Sequence, residues 1–292
     1  MSIQEAYTQL MYQLFELYDD REAANIADWV IENITGFKRI DRIKNKSFPL
    51  NTQQQQLLDA YTTQLLQHKP VQYVLHETWF AGMRLYVNEN VLIPRPETEE
   101  LVEWIVEESK RLKVKSKKVL DIGTGSGCIP VALKKKFPAF EIHALDVSKS
   151  ALEVAVKNAA LQQTEIIFYC LDILDKAAGN TLPTFDIIVS NPPYIKQSEA
   201  KDMRSNVFKH EPHIALFVPD NDVLLFYKTI AEFGLTHLNK NGAVFFEINE
   251  AMGIEVKEVL QGFGYSNIEV RKDMQGKDRM IKANLILQSQ QL

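Results

Sequence analysis

An apolar run, Val119-Leu120-Asp121-Ile122, breaks at Gly123-Thr124-Gly125-Ser126-Gly127 and resumes as a helix-forming stretch over 128–136. Glycine at every second position lets the backbone turn sharply, and the missing Cβ atoms let a ligand approach the main chain closely. A strand that enters such a turn and leaves as a helix belongs to an open α/β sheet, where ligands sit at the carboxyl ends of strands. The alternation continues: strands are expected at 141–145, 165–170, 185–190 and 243–248, and helices at 149–161, 223–238 and 253–262. This pattern predicts a mostly parallel sheet wrapped by helices. Two last strands, near 266–270 and 280–287, are separated only by a short turn around Gly276 and must therefore pair antiparallel.

A parallel sheet that ends in such a hairpin is the layout of class I methyltransferases, a Rossmann-like α/β fold with seven strands. Ahead of it the chain has a different texture. Tyr7, Leu10, Met11, Leu14, Phe15 and Tyr18 recur at helical spacing, as do Ala23, Ile26, Ala27, Val30, Ile31 and Ile34 before Gly36. A third helix is expected over 51–67, with Leu57, Leu58, Tyr61 and Leu65 on one face and the glutamine run 53–56 in solvent. The expected division is a small N-terminal helical bundle over 1–70, a linker over 71–95 and a catalytic domain over 96–292. Within the linker, 71–91 reads as short extended segments with a hairpin around Gly82, and Pro96 suits the first turn of a following helix.

Composition narrows the function classes. A net charge of -5 gives no support for a nucleic-acid binder that works through phosphates. The two cysteines, Cys128 and Cys170, exclude a disulfide framework and a four-cysteine zinc cluster, so no metal is expected. No apolar run is long enough to span a membrane. A monomer in the reducing cytoplasm is the expectation.

The candidate site follows the strand ends. Gly-x-Gly-x-Gly differs from the Gly-x-Gly-x-x-Gly of dinucleotide binders, and Asp121 precedes its first glycine. A carboxylate there opposes a pyrophosphate but suits a ligand that carries an ammonium group, as S-adenosylmethionine does. Asp146 ends the next strand, where it can accept from two ribose hydroxyls. Asp172 follows the third strand and can accept from an adenine amino group, with Ile173 beside the ring. Asn191-Pro192-Pro193-Tyr194 follows the fourth strand. Its prolines fix the backbone and remove two N–H donors, which leaves a rigid set of carbonyl acceptors. Asn191 and the Pro192 carbonyl can each take one hydrogen of a planar NH2 group, and Tyr194 can stack on its face. Such a nitrogen is a weak nucleophile because its lone pair is delocalised, and accepting its hydrogens returns electron density to it. Cys128 has no recognisable base beside it and reads as a packed residue. Glu247 reads as structural or as a support behind the site, and Arg279 as a brace for the last hairpin.

The pairing of Asp121-Ile-Gly-Thr-Gly-Ser-Gly127 with Asn191-Pro-Pro-Tyr194 resembles the peptide chain release factor glutamine methyltransferases, the HemK/PrmC family. The stretch between the two domains is similar as well: Pro70-Val-Gln-Tyr73, Phe80-Ala-Gly82 and Leu92-Ile-Pro-Arg-Pro-Glu-Thr-Glu99. The resemblance implies S-adenosylmethionine as methyl donor and the glutamine of a release factor Gly-Gly-Gln loop as acceptor. It implies docking of the release factor by the helical domain. Gly123 to Gly127, Asp146, Ile173 and Asn191 would contact the donor, Asn191 to Tyr194 the glutamine, and Arg95 and Glu97 would line the pocket. Alternative acceptors are a glutamine of a ribosomal protein and, with a flipped base, the N6 of adenine in DNA. A non-catalytic binding module is a third reading. Two departures stand out: His76 occupies a position where the family has glycine, and 217–224 lacks the usual glycines after Glu211-Pro-His-Ile-Ala-Leu216.

Overall fold

A computed structural model describes residues 1–111, 116–179, 181–202 and 205–285. The end of the strand expected at 280–287 lies outside the described residues. Two compact units are present. The first comprises Met1–Glu77 with a short later segment, and the second holds the rest of the chain.

The first unit contains α1 (Ile3–Leu14), α2 (Asp20–Thr35), α3 (Arg39–Lys44), α4 (Thr52–Leu66) and α5 (Val71–Leu75), joined by the later helix α10 (Ser205–His210). The sequence marks its own helix ends. Ser2 and Glu5 form a capping box on α1, Asn51 and Gln54 form another on α4, and Asp19 caps α2. Gly36 ends α2 in the left-handed conformation at φ 73°. Leu10, Leu14, Ile26, Val30, Ile31, Leu58 and Leu65 bury one apolar core. Leu57 turns to solvent, contrary to the expectation that it shares the face of Leu58. The segment 71–75, expected as extended chain, is helical because the Pro70 carbonyl accepts from the N–H groups of both Tyr73 and Val74. His76 closes α5 at φ 53°, the region that favours glycine, which accounts for the glycine expected there.

The second unit opens with the hairpin β1 (Thr78–Phe80) and β2 (Met83–Leu85), turning through Ala81 and Gly82 as expected. Helix α6 (Pro96–Arg111) begins at Pro96. Then follow β3 (Lys118–Ile122), α7 (Cys128–Lys136), β4 (Glu141–Asp146), α8 (Lys149–Leu161), β5 (Ile167–Cys170), α9 (Lys176–Gly179) and β6 (Phe185–Ser190). The short strands β7 (Ile195–Lys196) and β8 (Phe217–Val218) precede α11 (Leu225–His237), β9 (Leu238–Glu247), α12 (Gly253–Gly262), β10 (Tyr265–Lys272) and β11 (Asp278–Leu285). Seven strands form one sheet in the order β10-β11-β9-β6-β3-β4-β5. β9, β6, β3, β4 and β5 run parallel, while β11 pairs antiparallel with β9 and β10 with β11.

Both faces of the central strands are covered, so they read as continuous apolar runs and side chains alternate between two cores. Val119, Ile187, Val189 and Phe245 pack with Leu101, Trp104 and Ile105 of α6 and with α7. Leu120, Ile188, Val244 and Phe246 pack with Tyr227, Ile230 and Ala231 of α11 and with Val256 and Leu260 of α12. Strand order reverses at β3, with β4 and β5 on one side and β6 on the other. This switch point opens a crevice at the carboxyl ends of β3, β4 and β6. Among the described residues no helix is long and apolar enough to cross a membrane.

Candidate active site

A cavity of about 250 Å³ fills that crevice. Of the residues singled out in the sequence, Gly123, Thr124, Gly125, Ser126, Asp146, Asp172, Ile173, Asn191, Pro192, Pro193 and Arg95 line it. Asp121, Gly127, Glu97 and Tyr194 do not line it, although each sits within a residue or two of the wall.

The glycine loop is held by the neighbouring strand. The N–H groups of Gly123 and Thr124 donate to the Leu145 carbonyl at 2.9 and 3.0 Å. Gly123 and Gly125 have φ of 73° and 53°, so the turn itself requires glycine. Gly127 does not line the cavity, and its place in the fold has a packing reason. It caps α7 at φ 77°, and a Cβ there would lie 3.0 Å from the Ala155 Cβ, so its hydrogen lets α7 and α8 pack closely. Asn158 of α8, which the sequence did not single out, is fully buried and pins this region: its Nδ2 donates to the carbonyls of Ser126 and Tyr86, both at 2.9 Å.

Three carboxylates differ in environment. Asp121 is 1% exposed, and neither of its oxygens finds a hydrogen-bond donor. Burial pushes its carboxyl up to about 7. The buried Thr124 hydroxyl beside it is beyond hydrogen-bond length and opposes that rise only in part. Asp146 accepts from the N–H of Gly125 and of Ser148, each at 2.8 Å, and burial raises its pKa above the usual carboxylate value. Asp172 is exposed, and its Oδ1 accepts from the Leu174 N–H at 2.9 Å in a local turn. Cys128 is packed as expected, and burial pushes its thiol up to about 12.

Asn191 emerges at the tip of β6, where Ser190 Oγ donates to the Ile122 carbonyl at 2.7 Å and ties β6 to β3. The Asn191 Nδ2 donates to Thr98 Oγ1 at 3.2 Å, and Thr98 Oγ1 donates to Glu247 Oε2 at 2.6 Å. Among the described residues nothing donates to Asn191 Oδ1 or to the Pro192 carbonyl. The Tyr194 hydroxyl donates to Glu247 Oε1 at 3.4 Å, and its burial raises the phenol pKa well above the ordinary value. Thr98 replaces Glu97 in the wall because it stands one residue further around the first turn of α6. Arg95 is fixed by both oxygens of buried Glu211, at 2.7 and 2.8 Å. Pro212, Ile214 and Ala215 close one side of the cavity, and β8 clamps this segment to β7 directly after Tyr194. Residues 219–224 do not reach the wall. Arg279 braces the last hairpin as expected, donating to Asp273 at 3.2 Å. The described residues contain no cluster of His, Cys, Asp or Glu able to hold a metal.

The chain matches two known families. Residues 98–214 match the methyltransferase small domain, and residues 5–75 match the PrmC N-terminal domain. It is 44% identical to the release factor glutamine methyltransferase of Flavobacterium psychrophilum, over 97% of this chain and 99% of that one. It is 38% identical to the protein of the same name from Bacteroides thetaiotaomicron, over 93% of this chain and 96% of that one. Among solved structures, a methyltransferase from Pyrococcus furiosus aligns with a TM-score of 0.51 at 20% identity, covering 77% of this chain and 98% of that one, which concerns the fold alone. Near-full-length identity to these relatives, together with the paired domain matches, makes this chain a member of the release factor glutamine methyltransferase family.

Proposed function

We propose that this protein transfers a methyl group from S-adenosylmethionine to the side-chain amide nitrogen of the glutamine in the Gly-Gly-Gln motif of peptide chain release factors, in the cytoplasm. The observation that carries the reading is the Asn191 amide, held by its nitrogen end so that Oδ1 is left without a donor beside an equally unengaged Pro192 carbonyl.

The donor site fits the chemistry of its ligand. A buried carboxylate with no donor, at Asp121, and an unpartnered hydroxyl, at Thr124, suit an ammonium group. Gly123, Thr124, Gly125 and Ser126 would hold the amino acid end of the donor, Asp146 the ribose, and Asp172 with Ile173 the adenine. When bound, S-adenosylmethionine supplies an electron-poor methyl group on a positively charged sulfur.

The remaining work falls to the protein's own residues. Asn191 Oδ1 and the Pro192 carbonyl would each accept one hydrogen of the glutamine carboxamide. That pair of bonds returns electron density to the nitrogen and fixes its direction, which is proximity and orientation catalysis. As the nitrogen–methyl bond forms and the sulfur–methyl bond breaks, one of those two hydrogens leaves as a proton to solvent. The prolines keep the acceptors rigid, so little reorganisation accompanies reaction. Tyr194, anchored through its hydroxyl to Glu247, presents its ring beside the amide. Arg95, its charge paired by Glu211, would form part of the cavity wall. The helical unit would dock the release factor. Incubating purified release factors with this protein and the donor, followed by peptide mass spectrometry, tests the proposal. One added methyl on the Gly-Gly-Gln glutamine is expected, and methyl found only in ribosomal protein or DNA would refute it.

A further inference from the structure

Behind Asn191 the hydrogen bonds run in one direction. Asn191 Nδ2 donates to Thr98 Oγ1, Thr98 Oγ1 donates to Glu247 Oε2, and Tyr194 OH donates to Glu247 Oε1. The direction follows from the number of donors. A threonine hydroxyl has one hydrogen and a carboxylate has none. Once Thr98 gives its hydrogen to Glu247, its oxygen can only accept on the Asn191 side. The asparagine must then present Nδ2 to Thr98 and Oδ1 to the cavity. Thr98 and Glu247 are 2% and 1% exposed, so water does not compete for these bonds.

We infer that Thr98 and Glu247 are positioning residues which set the face of the Asn191 amide, so that its oxygen and not its NH2 meets the substrate nitrogen. This role rests on the acceptor reading of Asn191. It also makes the polarity of the site reversible. A protonated Glu247 would donate to Thr98 Oγ1, and the threonine hydrogen would then turn toward Asn191. An amide facing a donor presents its oxygen, so Asn191 would aim its NH2 at the substrate NH2 and repel it. Glu247 is faced by Thr98 and Glu97 of α6, Cys128 of α7, Tyr194, Tyr227 of α11 and Arg279 of β11. Burial pushes its carboxyl up to about 7, against the hydrogen bond from Thr98 and the charge of Arg279. The orienting state is therefore the alkaline one, and the reversed state grows as pH falls through that value.

Thr98→Val keeps the shape and removes the hydroxyl. Its kcat on purified release factor should fall by about 10–100-fold, the scale of one misdirected hydrogen bond, while donor affinity by calorimetry and KM for release factor stay near wild type. Thr98→Ser, which restores the hydroxyl, should recover kcat to within a few-fold. Wild-type kcat should drop on acidification through pH 7, and Glu247→Gln, which does not titrate, should be flat over the same range. A readout independent of turnover is the side-chain NH2 signal of Asn191 in asparagine-labelled protein, assigned by its loss in Asn191→Ala. It should shift with a midpoint near pH 7 in wild type and stay fixed in Glu247→Gln. Full kcat in Thr98→Val, a Thr98→Ser variant as slow as Thr98→Val, or an Asn191 signal that ignores pH would overturn the role. Should Asn191→Ala itself turn over normally, the acceptor reading fails; should only Asn191→Ala be inactive while Thr98→Val is not, the positioning role alone fails.

Discussion

Replacing Asp121 by Asn should stabilise the donor-free protein while weakening its hold on S-adenosylmethionine. The Asp121 carboxyl is pushed from the ordinary 3.8 up to about 7 by burial, which outweighs the opposing influence of the Thr124 hydroxyl. A carboxyl whose pKa is raised by folding is protonated more readily in the native state. Its contribution to stability is intact below the unfolded value and is lost as pH rises toward the folded one. Each pH unit across that window is worth about 1.4 kcal/mol. From pH 5 to pH 7 two such units, about 3 kcal/mol, are lost from the wild type and not from Asp121→Asn, which does not titrate. Urea unfolding of both proteins at pH 5 and pH 8 should therefore show a stability gap that widens by about 3 kcal/mol in favour of the variant. Calorimetry at pH 8 should show donor affinity reduced by roughly 10–100-fold in the variant, the loss of one charged hydrogen bond. Wild-type affinity should also weaken below pH 7, since the ammonium group favours the ionised form. A stability gap equal at both pH values, or undiminished donor affinity, would refute the reasoning.

Two further substitutions test the frame of the site. Gly127→Ala places a methyl 3.0 Å from the Ala155 Cβ at a φ of 77°, which should cost about 2–4 kcal/mol through overpacking and left-handed strain; an unchanged melting temperature would show that α7 and α8 can part freely. Asp146→Ala removes the acceptor of the Gly125 and Ser148 N–H groups and should weaken donor binding by roughly 10–100-fold, read by calorimetry, with wild-type affinity as the contrary result.

Much of this arrangement was legible in the sequence because it is local. The strand, the glycine loop and α7 occupy one continuous stretch, and Asn191 to Tyr194 directly follow β6, so their place at the sheet's switch point follows from alternation alone. What was missed is long-range. Thr98 lies 93 residues from Asn191 and 149 from Glu247, and nothing in the local pattern of any of the three marks the chain of bonds joining them. Asn158 reads as one more polar residue on a helix until its contact with Ser126 appears. The segment 71–75 looked extended because Val71 and Val74 are β-branched, yet the Pro70 carbonyl starts a helical turn that packs both valines into the core. The close packing at Gly127 was not legible either, because spacing in sequence does not show that α8 lies against it.

The acceptor role of Asn191 is the claim on which the chemistry turns, and Asn191→Ala tests it directly. Transfer of tritium-labelled methyl to purified release factor should be measured under single-turnover conditions for wild type and variant, with donor affinity measured in parallel. Loss of one preorganised acceptor should slow transfer by about 100-fold or more, while donor affinity changes only a few-fold. Transfer at the wild-type rate, or a loss explained wholly by failure to bind the donor, would contradict it.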